Sequence, residues 1–335
     1  MTKTDSKKKI KVGGLFSGVG GIELGFQKVG FEISWANEID KKACITYRAN
    51  FNHLLYEEDI YNLNGKDLEA IDVLTGGFPC QAFSVAGYQK GFQDKRGNLF
   101  FEIMRLVDEM PKKPRVLFLE NVKNFYSHDQ GKTFKRVHSE IRDRGYSFFY
   151  AILNTAEYTK IPQNRERTFM ICFKDDADWE FNNADSVSKN FSKLFPPKKI
   201  EKLYPIDKCL ETGEIDERYY YRQDKYMYKE LVKSIKSKET LYQWRRLYVR
   251  ENKSNLCPTL TANMGTGGHN VPLLKAEDGF RKLTPRECFN FQGFPKSFKL
   301  PNNLSNSDLY KQAGNSVTVE LIAKLAKDIY KVISV

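Results

Sequence analysis

The sequence predicts an α/β protein with a smaller domain inserted before its C-terminal end. Three observations carry this. Short apolar runs alternate with helical periodicity from residue 10 to about 155, the pattern of a parallel sheet covered on both faces. From about Asp175 the rhythm breaks, and residues 180–255 are rich in Lys, Arg and Tyr with no clean period. Near the end, Leu321, Leu325, Ile329 and Val332 restore an amphipathic helical pattern. A chain of 335 residues is long for one core and suits two domains of unequal size.

Each element can be justified in order. Residues 10–16 form an apolar strand, followed by the turn Ser17-Gly18-Val19-Gly20-Gly21. Ile22, Phe26 and Val29 then recur at helical spacing, and Ile33–Ala36 is a second strand ending at Asn37-Glu38. Ile71–Leu74 is a further strand, stopped by two glycines in "GGFPCQAFS". Leu99, Ile103, Leu106 and Met110 mark a helix, and Val116–Leu119 a buried strand. Phe134, Val137 and Ile141 mark another helix, with a strand at Phe148–Leu153 behind it. "IPQNRERTFMICF" reads as a strand on which Arg165 and Arg167, two apart, share one face. Asn315 and Ser316 are cap candidates for the closing helix.

Composition narrows the function. The formal charge of +12 and pI near 9.2 favour a polyanionic partner, although a solvated helix face accounts equally well for a run such as "RYYYRQDKYMYKELVKSIKSKE". The six cysteines, at 44, 80, 172, 209, 257 and 288, have no C-x-x-C spacing, and the four histidines do not group with them. No metal site and no disulfide framework is expected, and the thiols read as reduced in a cytoplasm. The basic N-terminus lacks the apolar core of a secretory signal. No run approaches membrane-spanning length, and there is no internal repeat.

The strand, glycine turn and helix at the start make a cofactor cradle. Glu38 ends the next strand about 20 residues on, where a carboxylate can accept from ribose hydroxyls. Position 23 is Glu, so the dinucleotide fingerprint is broken, and no P-loop is present. A ribose-bearing cofactor without a pyrophosphate remains, and S-adenosylmethionine fits that description. Cys80 stands past a strand end, the place where open parallel sheets bind ligands. Taken alone it reads more readily as a buried small hydrophobe. Glu120, in "VLFLENV", ends another strand, and a buried Glu is rare unless paired or functional.

With these residues in view, the chain resembles the DNA (cytosine-5)-methyltransferases, of the bacterial restriction-modification type, over nearly its whole length. "LFSGVGG", "NEID", "EDI", "GGFPCQAFSVAG", "RGNLFFEI", "ENV", "QNRER", "LTPRECFNFQGFP" and "AGNSV" occur in the family's order. The resemblance implies a Rossmann-like S-adenosylmethionine-dependent methyltransferase sheet, residues 1–185 plus 306–335, with a smaller target-recognition domain inserted at 186–305. It implies that Cys80 is the nucleophile at cytosine C6, that Glu120 bonds N3 and the exocyclic amine, and that Arg167, with Arg165 beside it, holds O2. Phe16, Gly18, Gly20 and Gly21 would form the cofactor turn. Glu38, with Ile39 after it, would take the ribose, and Asp59 with Ile60 the adenine. Pro79 and Leu99 would line the methyl-transfer site, and Asn315 and Val317 would complete the pocket.

The implied chemistry asks Glu120 to donate a proton, which needs a pKa raised by burial. The implied partner is double-stranded DNA, with the target base flipped out of the stack. A monomer working in the cytoplasm on the nucleoid, paired with a restriction endonuclease, completes the expectation. Gly87, Gly91 and Gly97 suit a loop closing over DNA. "CPTLTANMGTGGHN" resembles a DNA-facing loop, in which Thr259, Thr261, Asn263 and His269 would read bases, although a plain glycine turn competes.

Two positions depart from many relatives. Gly14 stands where they carry an acid, and Ile39 where they carry Trp; altered cofactor packing is expected. Rival readings are a tRNA methyltransferase on the same scaffold, a non-catalytic DNA-binding relative, and a nicotinamide oxidoreductase, which Glu23 disfavours.

Overall fold

The computed structural model describes residues 9–79, 99–175, 184–245, 247–252, 254–266 and 270–334. Its large sheet is built from β1 (Lys11–Leu15), β2 (Glu32–Asn37), β3 (Leu54–Tyr56), β4 (Val73–Gly77), β5 (Val116–Val122), β6 (Phe149–Asn154) and β7 (Glu166–Phe173). The spatial order is β3-β2-β1-β4-β5-β7-β6. The chain leaves β1 towards one edge and returns to β4 on its other side. That reversal opens a crevice at the carboxyl ends of β1 and β4, where such sheets bind ligands.

One strand departs from the expected parallel sheet. β7 runs antiparallel to both β5 and β6. Only residues 155–165 join β6 to β7, too short a path for a full crossover, so the two pair as neighbours in opposite directions. The three-residue strand β3 went unforeseen, having too few residues to show a period.

In chain order the helices are α1 (Gly21–Gln27), α2 (Lys41–Asn50), α3 (Leu99–Glu109), α4 (Lys132–Arg142), α5 (Thr155–Tyr158), α6 (Ala184–Ser192), α7 (Tyr228–Ser234), α8 (Pro285–Phe291), α9 (Asn306–Asn315) and α10 (Val319–Ile333). Side chains alternate across each strand, and both faces are apolar. Val116, Phe118, Phe169 and Ile171 pack with α1 and α10 through Ile22, Phe26, Leu321, Ile322 and Leu325. Leu117, Leu119, Met170 and Cys172 face α3 and α4 through Ile103, Leu106, Val137 and Ile141. The result is a three-layer α/β/α unit, closed by the last helix of the chain. The N-cap of α10 is Thr318, without a side-chain cap bond, whereas Asn315 and Ser316 end α9. They wall the crevice instead of capping α10.

The inserted region carries its own antiparallel sheet, β8 (Tyr220–Tyr221), β9 (Tyr242–Arg245), β10 (Tyr248–Glu251), β11 (Leu273–Ala276) and β12 (Gly279–Lys282), in the order β10-β9-β11-β12-β8. Leu231, Tyr242, Val249, Leu273 and Phe280 form its small core. The expected boundary at 186 cuts through α6, whose Val187 and Phe191 are fully buried on the large sheet. Beyond the small sheet, α8 and α9 pack against α2 through Phe289, Phe294, Tyr310, Ala43 and Tyr47.

Candidate active site

At the end of β1 the chain turns sharply. Phe16 has φ 55°, an uncommon conformation for a residue other than glycine. Gly18 and Gly20 follow with φ 55° and 86°. The Gly18 N–H donates to Glu38 Oε2 at 2.7 Å, and the Ile39 and Asp40 N–H groups donate to Oε1 at 2.9 and 2.7 Å. Glu38 therefore ties the β1 turn to the end of β2 before any ligand arrives. A carboxylate has lone pairs for about four donors, so capacity remains for hydroxyls.

A cavity of about 940 Å³ opens over these strand ends. Phe16, Gly18, Gly21, Glu38, Ile39, Asp59, Ile60, Pro79, Leu99, Asn315 and Val317 all line it, as do Glu120 and Arg167. Gly20 does not line it. As N-cap of α1 it faces α2, where any side chain would strike the Phe51 ring. Ile39 is 60% exposed and offers bare apolar surface at the rim. Asp59 caps a short 3-10 turn through Tyr61 N–H at 3.2 Å.

The departure at Gly14 has a local cause. Any side chain there would collide with the carboxyl of Glu23, which reaches from α1 into that space. Ser17 Oγ donates to Glu23 Oε1 at 2.6 Å, while Oε2 has no partner among the described residues. Burial, the largest influence, pushes Glu23 up to about 7. The acid lies behind the turn on the helix instead of on the strand, outside the cavity lining.

At the end of β5, Glu120 is 8% exposed. Arg167, on the antiparallel β7, reaches it with Nε 3.0 Å from Oε1. The register Val122 opposite Arg167 brings the two elements together. Burial pushes the Glu120 carboxyl above the usual carboxylate range, opposed by Arg167 and Arg165. The next residue has a supporting role. Asn121 Nδ2 donates to Phe78 O at 3.0 Å, and its Oδ1 accepts from Val122 N–H at 2.8 Å. It braces the chain at Phe78, just past the end of β4. Cys80 itself, and the glycines at 87, 91 and 97, lie outside the described residues.

Arg165 does not join this cavity, contrary to the expectation from strand alternation. β7 begins one residue later, at Glu166. The Arg165 guanidinium instead donates to the carbonyls of Leu260, Gly314 and Ser316. Thr259 is half-buried, and its hydroxyl already donates to Asn164 O at 2.5 Å. Thr261 and Asn263 are exposed around a 3-10 turn, Ala262–Gly265. His269 lies outside the described residues.

Sequence reasoning missed the contribution of α9. Lys311 lines the cavity and pairs with Asp40 Oδ2 at 2.8 Å, and Lys42 pairs with Asp308 Oδ1 at 2.7 Å. Gln312 Nε2 donates to Lys42 O at 3.0 Å and its Oε1 accepts from Thr46 at 2.8 Å. Neighbouring motifs flank these residues, yet their partners are some 270 positions away, and no local pattern could have found them.

The cavity fits a ribose-bearing cofactor such as S-adenosylmethionine. Glu38 and Asp59 are acceptors at its edge, the turn at Gly18 leaves open space, and the buried Ser316 Oγ on its wall has no partner among the described residues. Among the described residues, no group of His, Cys, Asp and Glu could hold a metal ion, and no helix is long and apolar enough to cross a membrane.

Residues 10–331 match the family model described as C-5 cytosine-specific DNA methylase. The chain is 52% identical over 325 residues to the type II methyltransferase M.Bsp6I of Bacillus sp. (strain RFL6), covering 96% of this chain and 99% of that one. It is 38% identical over 328 residues to the type II methyltransferase M.HhaI of Haemophilus parahaemolyticus, covering 94% and 92%. The crystal structure of the S. pombe Dnmt2 methyltransferase matches with a TM-score of 0.71 at 20% identity, over 96% of this chain and 99% of that one. At that identity the likeness speaks for the fold alone.

Proposed function

The chain belongs to the C-5 cytosine-specific DNA methylases and is a DNA (cytosine-5-)-methyltransferase; from that premise we propose how its residues divide the work. The observation that carries the division is the buried Glu120–Arg167 pair, facing the same cavity as the Glu38-bound glycine turn. S-adenosylmethionine supplies the methyl group. Glu38 would hold its ribose, Asp59 and Ile60 its adenine, and the segment Asn315–Val317 would close the wall behind it.

The substrate is a cytosine flipped from double-stranded DNA, at a cost of roughly a few kcal/mol. The Cys80 thiolate would add to C6, which makes C5 an enamine carbon able to take the methyl group. Glu120, whose burial favours the protonated form, would donate to N3 as that addition proceeds, and Arg167 would hold O2 and the acid together. C5 then loses its proton to a base, and the electron pair of that bond expels the thiolate from C6. The exposed Thr261 and Asn263, with Thr259 and His269, would read the neighbouring bases, and Lys and Arg elsewhere on the insertion would contact phosphates. The type II relatives support a pairing with a restriction endonuclease.

The test has two arms. Sequencing of methylated cytosines in DNA from cells expressing the chain should reveal one short modified sequence, and purified enzyme should label duplex DNA and not tRNA. Cys80→Ser should lose methyl transfer while keeping duplex binding, and wild type should form a covalent adduct with a duplex carrying 5-fluorocytosine. Turnover by the serine variant, or no adduct when cofactor is supplied, would remove Cys80 from its role.

A further inference from the structure

The segment just before β7 is a junction between distant parts of the chain. Asn164 N–H donates to Cys257 O at 2.8 Å, and Cys257 N–H donates to Pro162 O at 2.7 Å, a short parallel bridge. Arg165 completes it. Its side chain is 2% exposed. Nη1 donates to Leu260 O at 2.7 Å, and Nη2 donates to Gly314 O at 3.1 Å and to Ser316 O. Leu260 lies between Thr259 and Thr261. Gly314 and Ser316 lie on the wall of the cavity. The two segments also touch directly, because a Cβ at Gly314 would collide with the Thr261 carbonyl.

A buried guanidinium that, among the described residues, donates only to neutral carbonyls is costly to keep. Its planar fork is rigid, so it fixes the positions of all three carbonyls relative to one another. A shift of Leu260 therefore changes the bonds available to Gly314 and Ser316, and the reverse. We propose that Arg165 is a positioning residue that couples the two ligand sites, so that duplex DNA at the Thr259–Thr266 segment and cofactor at Gly314–Val317 strengthen each other's binding. This rests on the functional reading above for both sites.

The experiment measures the coupling itself, which thermodynamics requires to be reciprocal. S-adenosylhomocysteine, which cannot react, is titrated into the enzyme with and without a duplex carrying the mapped target sequence. Wild type should bind it at least about fivefold more tightly with the duplex. Arg165→Lys has a single ammonium that cannot span both segments, and its factor should fall towards one, with each separate affinity changed by less. A wild-type factor near one overturns the proposal. So does a lysine variant that loses affinity for both ligands with the factor intact, which is what a merely structural role produces.

Should that variant fail to fold by circular dichroism, hydrogen exchange of wild type decides. Duplex alone should slow exchange at residues 312–318, and S-adenosylhomocysteine alone at 257–266. Protection confined to each ligand's own segment overturns the coupling. Failure of wild type to bind any duplex would overturn the functional reading, and this proposal with it.

Discussion

Two buried acids near the crevice differ in what they pair with. Glu120 faces Arg167, whereas Glu23 has a hydroxyl on one oxygen and nothing described on the other. Glu120→Gln should slow methyl transfer by about a hundredfold or more, the scale of a lost general acid, with cofactor affinity little changed; single-turnover rates read this. Glu23 should register in stability instead. Its pKa rises from 4.5 to about 7 on folding, so between those values the folded state holds more proton than the unfolded. Its contribution is complete below about pH 4.5 and is lost as pH rises through 7, to the extent of roughly 3 kcal/mol. Glu23→Gln should remove that slope and melt above wild type at pH 8. At this scale the sequence pointed to Glu38 and Glu120 at strand ends and to Arg167 by side-chain alternation, and all three line one cavity. It misjudged Arg165, since side-chain alternation holds inside a strand and Arg165 precedes one.

Among the elements, α8 shows how the inserted sheet is fastened to the large unit. Thr284 and Glu287 form a capping box at its start. Glu287, fully buried, also pairs with Arg281 of β12 through both oxygens, at 2.7 and 2.8 Å, and accepts from Glu211 N–H at 3.1 Å. Glu287→Ala should destabilise the protein by about 3–5 kcal/mol, because it leaves Arg281 buried and unpaired. Thr284→Ala should cost only about 1 kcal/mol. Urea melts of both variants check the ranking, and equal losses would contradict it. Elements with a strong period, such as α3 and α10, were legible from sequence. The direction of β7 was not, because pairing direction leaves no trace in a strand's own residues. The cavity-side role of α9 was hidden likewise, being written in ion pairs to α2 and not in its own pattern.

For the whole molecule, the formal charge of +12 should make duplex binding fall steeply between 50 and 200 mM salt, as phosphate contacts release counterions. A flat response in a filter-binding titration would mean that the charge does not serve DNA. The order of motifs made the overall architecture legible, but the boundary at 186, taken from the family resemblance, cuts through α6, whose apolar face belongs to the large sheet. One feature of that architecture also governs timing. The crevice begins at β1, near the start of the chain, and its wall ends at Asn315–Val317, with α10 packed on α1. Both ends must be present before the cavity exists. Synthesis makes the turn at Gly18 long before the closing wall at Asn315–Val317, so a polypeptide cut short before residue 315 should hold no cofactor.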